Sequence, residues 1–370
     1  MVETLSRHWQ SIQGTLFPLL KEEVGVLSEN HMKLATYIEL LDIHKFLPPW
    51  HQQRRGCRGR PVKHRADMAH AFLAKSIYNF PTTRVLIDSL HSDPRLRRIC
   101  GFETVSSIPS EATFSRAFKE FADFGLIQKT HDAFIKAHHG ERLVGHVSRD
   151  ATSICGREKA LYSPKEGKEE QPKRKRGRPK KGEGVAPRSP TRMELQKNMT
   201  LDAMLEDLPK ACDKGTKRNS KGYKISWKGY KAHIDTIDGD IPVSWVLTSA
   251  STHDSQAALP LAQMTHEKIT ALYELMDAAY DAAPIRENTR VHGCVGLIDF
   301  NRRSPSDTRS FAPHEKERYK ARSSSERVNS NLKDNHGGNS VRVKGYEKVL
   351  CHLGFGLLVI AVEQTLRLLC

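Results

Sequence analysis

Apolar positions recur at spacings of three and four through the first third of the chain, and then the period changes. In "ENHMKLATYIELLDIHKFL" Leu34, Ile38 and Leu41 stand four and three apart, the repeat of an amphipathic helix. "HRADMAHAFLAKSIYNF" and "TTRVLIDSLHSD" continue the pattern on either side of Pro81. "SIPSEATFSRAFKEFADFG" offers Ser110 as a cap, a stripe of Phe114, Phe118 and Phe121, and Gly125 as a stop. Residues from about 27 to 139 are therefore expected to be helical. Ser115, Arg116 and Lys119 on the polar side of the last segment fit the second helix of a helix-turn-helix laid on DNA. The same stripe also fits a bundle helix whose phenylalanines are simply core.

After Glu141 the pattern turns to alternation. "RLVGHVSRD" predicts a strand ending in Asp150, and "GYKAHIDTI" and "IPVSWVLTSA", joined by the turn signal "DGD", predict a hairpin. "KITALYELMD" predicts a strand ending in Asp277, "DAAPIRENTRV" a short helix and "GCVGLIDF" another strand. A helix over roughly 314–335, stopped by Gly337 and Gly338, and a core helix over about 347–369 close the chain. Strand hairpins followed by alternating strand and helix predict one α/β domain from about 141, behind an all-helical region of residues 1–140. "VLCHLGFGLLVIAV", Val349 to Val362, is 14 residues long and runs into Glu363 and Arg367. A spanning helix needs about 20 apolar residues, so a buried core helix is expected and no membrane partner.

Composition adds a partner class. The 370 residues carry 59 Lys+Arg against 43 Asp+Glu, a net +16, which favours a polyanion, with nucleic acid ahead of a membrane. Over half of that surplus is local. Residues 161–224 hold 18 Lys+Arg and 9 Asp+Glu, and "SPKEGKEEQPKRKRGRPKKGEGVAPRSPTR" is too poor in apolar residues to fold alone. A basic, partly disordered insert is therefore expected at about 156–224, with a short helix in "MELQKNMTLDAMLEDL". The seven cysteines are odd in number and widely spread, with no CxxC pair, which argues against a disulfide scaffold and against a structural zinc site. The N-terminus has no apolar signal region, and a reduced cytoplasmic location is expected.

The chemistry concentrates in "YKARSSSERVNSNLK", residues 319–333. On a helix, Tyr319, Arg322, Glu326 and Lys333 fall within an arc of about 60°, spread over about 20 Å of the axis. A phenol, a guanidinium, a carboxylate and an ammonium on one narrow face suit a charged ligand. Asp150 and Asp277 follow strands, and strand ends gather where ligands bind in α/β sheets. Three converging carboxylates without Cys or His ligands call for two Mg²⁺ or Mn²⁺ ions, which activate an attacking oxygen and stabilise a leaving one at a phosphodiester. Arg322 and Lys333 would hold flanking phosphates, and Tyr319 would meet the backbone or sugar.

The spacing of Tyr319, Arg322, Glu326 and Lys333 resembles the Tyr-Arg-Glu-Lys signature of bacterial insertion-sequence transposases with a DDE catalytic core. Asp150 in "RDAT" and Asp277 in "LMDAAYDA" resemble the two aspartates of that core. "KGYKAHIDTIDGDIPVSWVLTSASTHDSQAA" is similar to the stretch between them, and "RGRPVKHRADMAHAFLAKSI", "DPRLRRICGF" and "IPSEATFSRAF" resemble the family's helical region. The resemblance spans roughly 40–370 apart from the basic insert. It implies an RNase H-like catalytic domain, a mixed sheet flanked by helices, over residues 141–370. It further implies hydrolysis at transposon ends followed by strand transfer to target DNA, with Asp150, Asp277 and Glu326 as catalytic and metal-binding residues. A homodimer or larger assembly on double-stranded DNA, and a place at the bacterial nucleoid, belong to the same expectation. Relatives often carry a long insert between the second aspartate and the glutamate; here that gap is 49 residues, and the extra length lies between the aspartates instead.

Several residues compete. Asp281 is an alternative to Asp277, Asp254 is expected to cap a helix, and Asp299 is expected to be structural. "KRKRGRPKK" resembles an AT-hook, in which Lys173, Arg174, Lys175, Arg176, Arg178 and Lys180 would lie along an A·T minor groove; a flexible linker with salt-sensitive affinity fits equally. "CRGRPVKHR" shares the Arg-Gly-Arg-Pro core but precedes a helix, where a turn and helix start suffice. A non-catalytic DNA-binding descendant, or a nuclease without strand transfer, would share most of these features.

Overall fold

A computed structural model of the chain describes residues 2–48, 64–161, 190–218, 221–302, 306 and 308–368. The AT-hook-like run, with Lys173, Arg174, Lys175, Arg176, Arg178 and Lys180, lies outside the described residues, as does most of "CRGRPVKHR". The expected helices are present as Glu29–Leu41, Arg65–Ile77, Thr83–Ser92, Glu111–Phe124 and Leu126–His139, with a short Pro94–Ile99 between. Side-chain caps begin three of them, at Ser28, Thr82 and Asp93, whereas Ser110 stands at the N-cap of Glu111–Phe124 without a capping hydrogen bond. The side chain of Thr82 accepts from the Val85 amide at 3.2 Å, and that of Asp93 from the Arg95 amide at 2.9 Å. Two further helices, Val2–Ser11 and Phe17–Val24, precede the region where the periodicity was clear.

The sheet explains the alternating half. Its strands are β1 (Leu143–Cys155), β2 (Asp213–Arg218), β3 (Lys224–Ile237), β4 (Ile241–Ser249), β5 (Thr270–Met276) and β6 (Val295–Ile298), in the order β2-β3-β1-β5-β6 with β4 also paired to β3. β1 and β4 run antiparallel to β3, whereas β1–β5 and β5–β6 are parallel, so the sheet is mixed. The β3–β4 turn is the anticipated Asp238-Gly239-Asp240, with φ of +88° at Gly239 and +62° at Asp240. Gly229 stands at φ +150°, where a Cβ would lie 2.1 Å from the Ile154 carbonyl oxygen; only glycine fits this crossing of β3 over β1.

β4 is buried at all nine positions because both faces are covered. Trp245 and Leu247 pack with Leu353 and Leu357 of the C-terminal helix Tyr346–Arg367, while Val246 packs with Leu261 of the helix Ala258–His266. The C-terminal helix is the one helix among the described residues long and apolar enough to cross a membrane. It lies in the core, with every residue from Val349 to Val362 except Leu350 buried. Its Phe355 meets Phe72 and Phe118, so the N-terminal helices and the sheet share one core. That sharing accounts for the aromatic stripe: Phe114, Phe118 and Phe121 are 0%, 6% and 0% exposed.

Three expectations need correction. β1 does not end at Asp150 but continues five residues to Cys155, because the longer β3 still offers it partners after β5 has stopped. The expected helix over 314–335 is three segments, Pro313–Tyr319, a 3₁₀ turn Lys320–Arg322 and Ser323–Asn335. The expected short helix over 193–208 is two, Arg192–Gln196 and Leu201–Asp207, and β2 returns the chain to the sheet eleven residues before position 224.

Candidate active site

Two strands place the aspartates. The parallel β1–β5 ladder ends at Arg149 opposite Met276, so the next residues on the two strands are Asp150 and Asp277. β1 continues in register with β3, Asp150 opposite Ile234, while β5 stops and Asp277 caps the short turn Ala278–Tyr280 by accepting from the Ala279 amide at 2.9 Å. Strand β1 thus carries its carboxylate alongside the mouth that the end of β5 opens.

Burial and like charge act on both aspartates. Desolvation pushes Asp150 up to about 6, the nearby Asp277 and Asp254 carboxylates adding to it against the Ala151 amide and Arg322. Asp277 is likewise raised by burial, then by Asp254 and Asp299, against the Ala279 amide and Arg322. Such a cluster resists ionisation unless a cation joins it.

The helix Ser323–Asn335 supplies the other side. Asn329 donates from Nδ2 to Asp150 Oδ2 at 3.0 Å, and its own Oδ1 is buried without a partner among the described residues. Arg322, at the helix start, is hydrogen-bonded to Glu326 one turn on. Burial works against its charge, yet Tyr319, Glu326, Asp150 and Asp277 hold its pKa above the usual value. Arg322 is therefore a group that the charges of all three predicted carboxylates reach, Glu326 alone by a hydrogen bond among the described contacts. They do not themselves form a tight cluster: among the described residues, ligand atoms of His, Cys, Asp or Glu come within 4.8 Å of one another as a trio only at His266, Glu274 and Cys294.

The remaining signature residues divide between site and scaffold. Tyr319 donates its hydroxyl to the Met276 carbonyl at 3.1 Å, so it steadies the peptide just before Asp277; its ring lies 5.9 Å from the Arg322 guanidinium carbon. Burial pushes its phenol up to about 12. Lys333, two turns beyond Glu326, is half-buried and lowered by desolvation and then by Lys217 of β2, while the charges of Cys155 and Asp150 reach it. Lys217 was not singled out from sequence, and β2 is what brings it here. Arg116 and Lys119 are exposed on Glu111–Phe124, but Arg116 donates to Thr113 at 3.1 Å and Lys119 pairs with Asp123.

Asp281 is otherwise occupied: Arg286 grips it at 2.8 Å and the Asn301 amide donates at 3.0 Å, so that despite burial it sits below the usual carboxylate range. Asp254 does not cap; His253 does, accepting from the Ser255 amide at 3.4 Å. Asp254 instead pairs with Lys231 at 2.8 Å and directs its charge at both Asp150 and Asp277. Asp299 accepts from the Phe300 amide at 2.8 Å, in keeping with a structural role, though its charge reaches Asp277. Arg149, passed over in "RDAT", is 1% exposed and forms a two-pronged pair with Asp235 at 2.7 and 2.8 Å, which locks β1 to β3 beside the site.

Comparison with known families agrees with this organisation. The family described as Transposase domain (DUF772) matches residues 25–120, the helical region, and the family described as Transposase DDE domain matches residues 200–362. The second range holds Asp277, Tyr319, Arg322, Glu326 and Lys333; Asp150 falls between the two ranges. No curated protein and no solved structure matches the chain. A helical transposase module followed by a mixed-sheet DDE module defines a transposase. The chain belongs to the insertion-sequence DDE transposases. Domains of that family typically use divalent metals.

Proposed function

We propose that this protein binds the ends of its element, hydrolyses a phosphodiester there and joins the freed 3′-hydroxyl to target DNA, with Asp150, Asp277 and Glu326 as the acting carboxylates. The β1–β5 register, which makes Asp150 and Asp277 neighbours where β5 ends, is the observation that carries the reading. The sheet path β4-β3-β1-β5-β6, a three-strand antiparallel part continued by two parallel strands, supports an RNase H-like core.

The residues fit two Mg²⁺ or Mn²⁺ ions. Buried carboxyls held above their usual range and an orphaned Asn329 Oδ1 are the surroundings a hard cation relieves. Asp150 and Asp277 would hold the ions with Glu326, and bound divalent cations supply Lewis acidity to the attacking and leaving oxygens. The chain's own groups do the rest. Arg322 exchanges Glu326 for a DNA phosphate, which frees that carboxylate to turn inward. Asn329 keeps Asp150 aimed, and Tyr319 fixes the Met276–Asp277 peptide. Lys333 and Lys217 form a cationic pair beyond the carboxylates, suited to the strand's next phosphates. Lys333, which is half-buried, is worth more to a phosphate than the exposed Lys217.

The basic insert would add salt-sensitive affinity for double-stranded DNA, and the exposed side of Glu111–Phe124 a second contact through Arg116 and Lys119. Pairing of two DNA ends calls for a dimer or larger assembly, and nucleoid association would follow from the charge. The test is cleavage of a plasmid bearing the element's ends. Wild type should nick it only with Mg²⁺ or Mn²⁺, and Asp150→Ala, Asp277→Ala and Glu326→Ala should each lose activity by a factor of 10³ or more, on the order of the losses seen for groups acting in the transition state. A variant that still cuts removes that residue from the mechanism.

A further inference from the structure

Behind the candidate active site, on the far side of Arg149, lies a second polar cluster that the reaction does not use. We propose that His266, Glu274 and Cys294 bind one Zn²⁺, a structural clasp joining the helix Ala258–His266 to β5 and to the start of β6. Their ligand atoms all lie within 4.8 Å of one another. His266 Nε2 is 2.7 Å from Glu274 Oε1 and 3.9 Å from Cys294 Sγ. Zinc bonds of about 2.0–2.3 Å in a tetrahedron put ligand atoms about 3.3–3.8 Å apart, so small side-chain shifts complete the site.

Two independent observations point to a cation here. Glu274 is 1% exposed, and its Oε2 has no hydrogen-bond partner among the described residues. A buried carboxylate oxygen left unpaired is costly unless something binds it. The second observation is charge balance. Arg149, Asp235 and Glu274 are each 1% exposed or less, one positive charge against two negative. Arg149 is committed to Asp235 and stands 3.7 Å from Glu274. Lys268, whose charge also reaches Asp235, is itself paired with Asp132 at 2.5 Å.

A Zn²⁺ with a Cys294 thiolate adds one net positive charge and neutralises the cluster. Its binding forms the Zn–S bond and breaks S–H, the proton leaving to solvent, with no change of oxidation state. Without metal the thiol is pushed up to about 12 by burial and then by Glu274, and it donates to the Ala271 carbonyl at 3.1 Å. The ring of His292 stacks on that of His266, centroids 4.2 Å apart and planes 14° apart. Being parallel, it shields the ligand ring and does not aim at the same ion. Three protein ligands leave a fourth position for water.

Zinc content of the full-length chain, produced with zinc and dialysed against zinc-free buffer, tests the assignment. Wild type and the exposed-cysteine control Cys155→Ala should each retain one zinc per chain, and Cys294→Ala and His266→Gln less than a tenth of that. Cobalt loaded into wild type should show thiolate-to-cobalt absorption, a readout that stands if either variant misfolds. Wild type without zinc, with the charge closed by a proton on His266 instead, would overturn the proposal. So would cobalt without thiolate absorption, or a folded Cys294→Ala that keeps its zinc.

Discussion

Replacing Asp150 by Asn should make the metal-free protein more stable while destroying its function. A carboxyl whose pKa is about 6 in the folded chain and 3.8 when free carries about 3 kcal/mol of penalty once ionised. Asp150 is partly exposed, and water reaching it trims this to about 1–3 kcal/mol. The sign follows from the raised value. The folded chain holds this proton more tightly than the unfolded chain, so the stabilisation is complete below pH 4 and is lost as pH rises through 6. Asparagine removes the charge, keeps the shape and can still accept from Asn329 Nδ2. At about 2 °C per kcal/mol for a chain of this size, Asp150→Asn should melt about 2–6 °C above wild type at pH 8 in Mg²⁺-free buffer, and keep only about a third of that gap at pH 4.5. Added Mg²⁺ should raise the melting temperature of wild type alone. Equal or lower stability of the variant at pH 8, or the same gap at both pH values, would refute the account of a desolvated, repelled carboxylate.

Other outcomes follow from the same geometry. Glu326→Gln should abolish Mg²⁺-dependent nicking with a stability change within about 0.5 kcal/mol by denaturant titration, since the side chain is 56% exposed and its partner Arg322 keeps the Asp150 and Asp277 charges near it. Arg149→Met should cost about 3–5 kcal/mol by leaving Asp235 and Glu274 buried without their cation. Gly229→Ala should leave little soluble protein, because its Cβ would strike the Ile154 carbonyl at 2.1 Å on a backbone that disfavours L residues. Deleting residues 163–192 should lower the slope of log affinity for DNA against log salt by about 0.9 for each phosphate that the insert neutralises.

Much of this was legible in the chain because local pattern and tertiary context agree. The apolar run from Val349 to Val362 is continuous because the helix is enclosed on all sides, by β4 and by the N-terminal helices. "KITALYELMD" ends where β5 ends because Asp277 caps the turn that follows. What the pattern hides is set by partners distant in sequence. β1 outlasts Asp150 because β3 is longer than β5, and no local signal in "RDATSIC" records that. Lys217 reaches Lys333 only through β2, which sits in a stretch too basic to read as a strand. The helix over 314–335 breaks at Lys320–Arg322, where Tyr319 is drawn to the Met276 carbonyl and Ser148 donates to the Ala321 carbonyl. Asp254 and Asp281 look alike in sequence; only the pairing of Asp281 with Arg286 and the approach of Asp254 to both aspartates tell them apart.

The central claim is that Asp150, Asp277 and Glu326 share the cations that act on DNA. Anomalous scattering from crystals grown with Mn²⁺ and a DNA end tests it most directly. The account predicts manganese bound by Asp150 and Asp277, with Glu326 released from Arg322 onto the same pair of ions and Arg322 on a phosphate. Manganese held by Asp254 or Asp299 without Asp150, or a Glu326 still paired to Arg322 with metal and DNA in place, would contradict it.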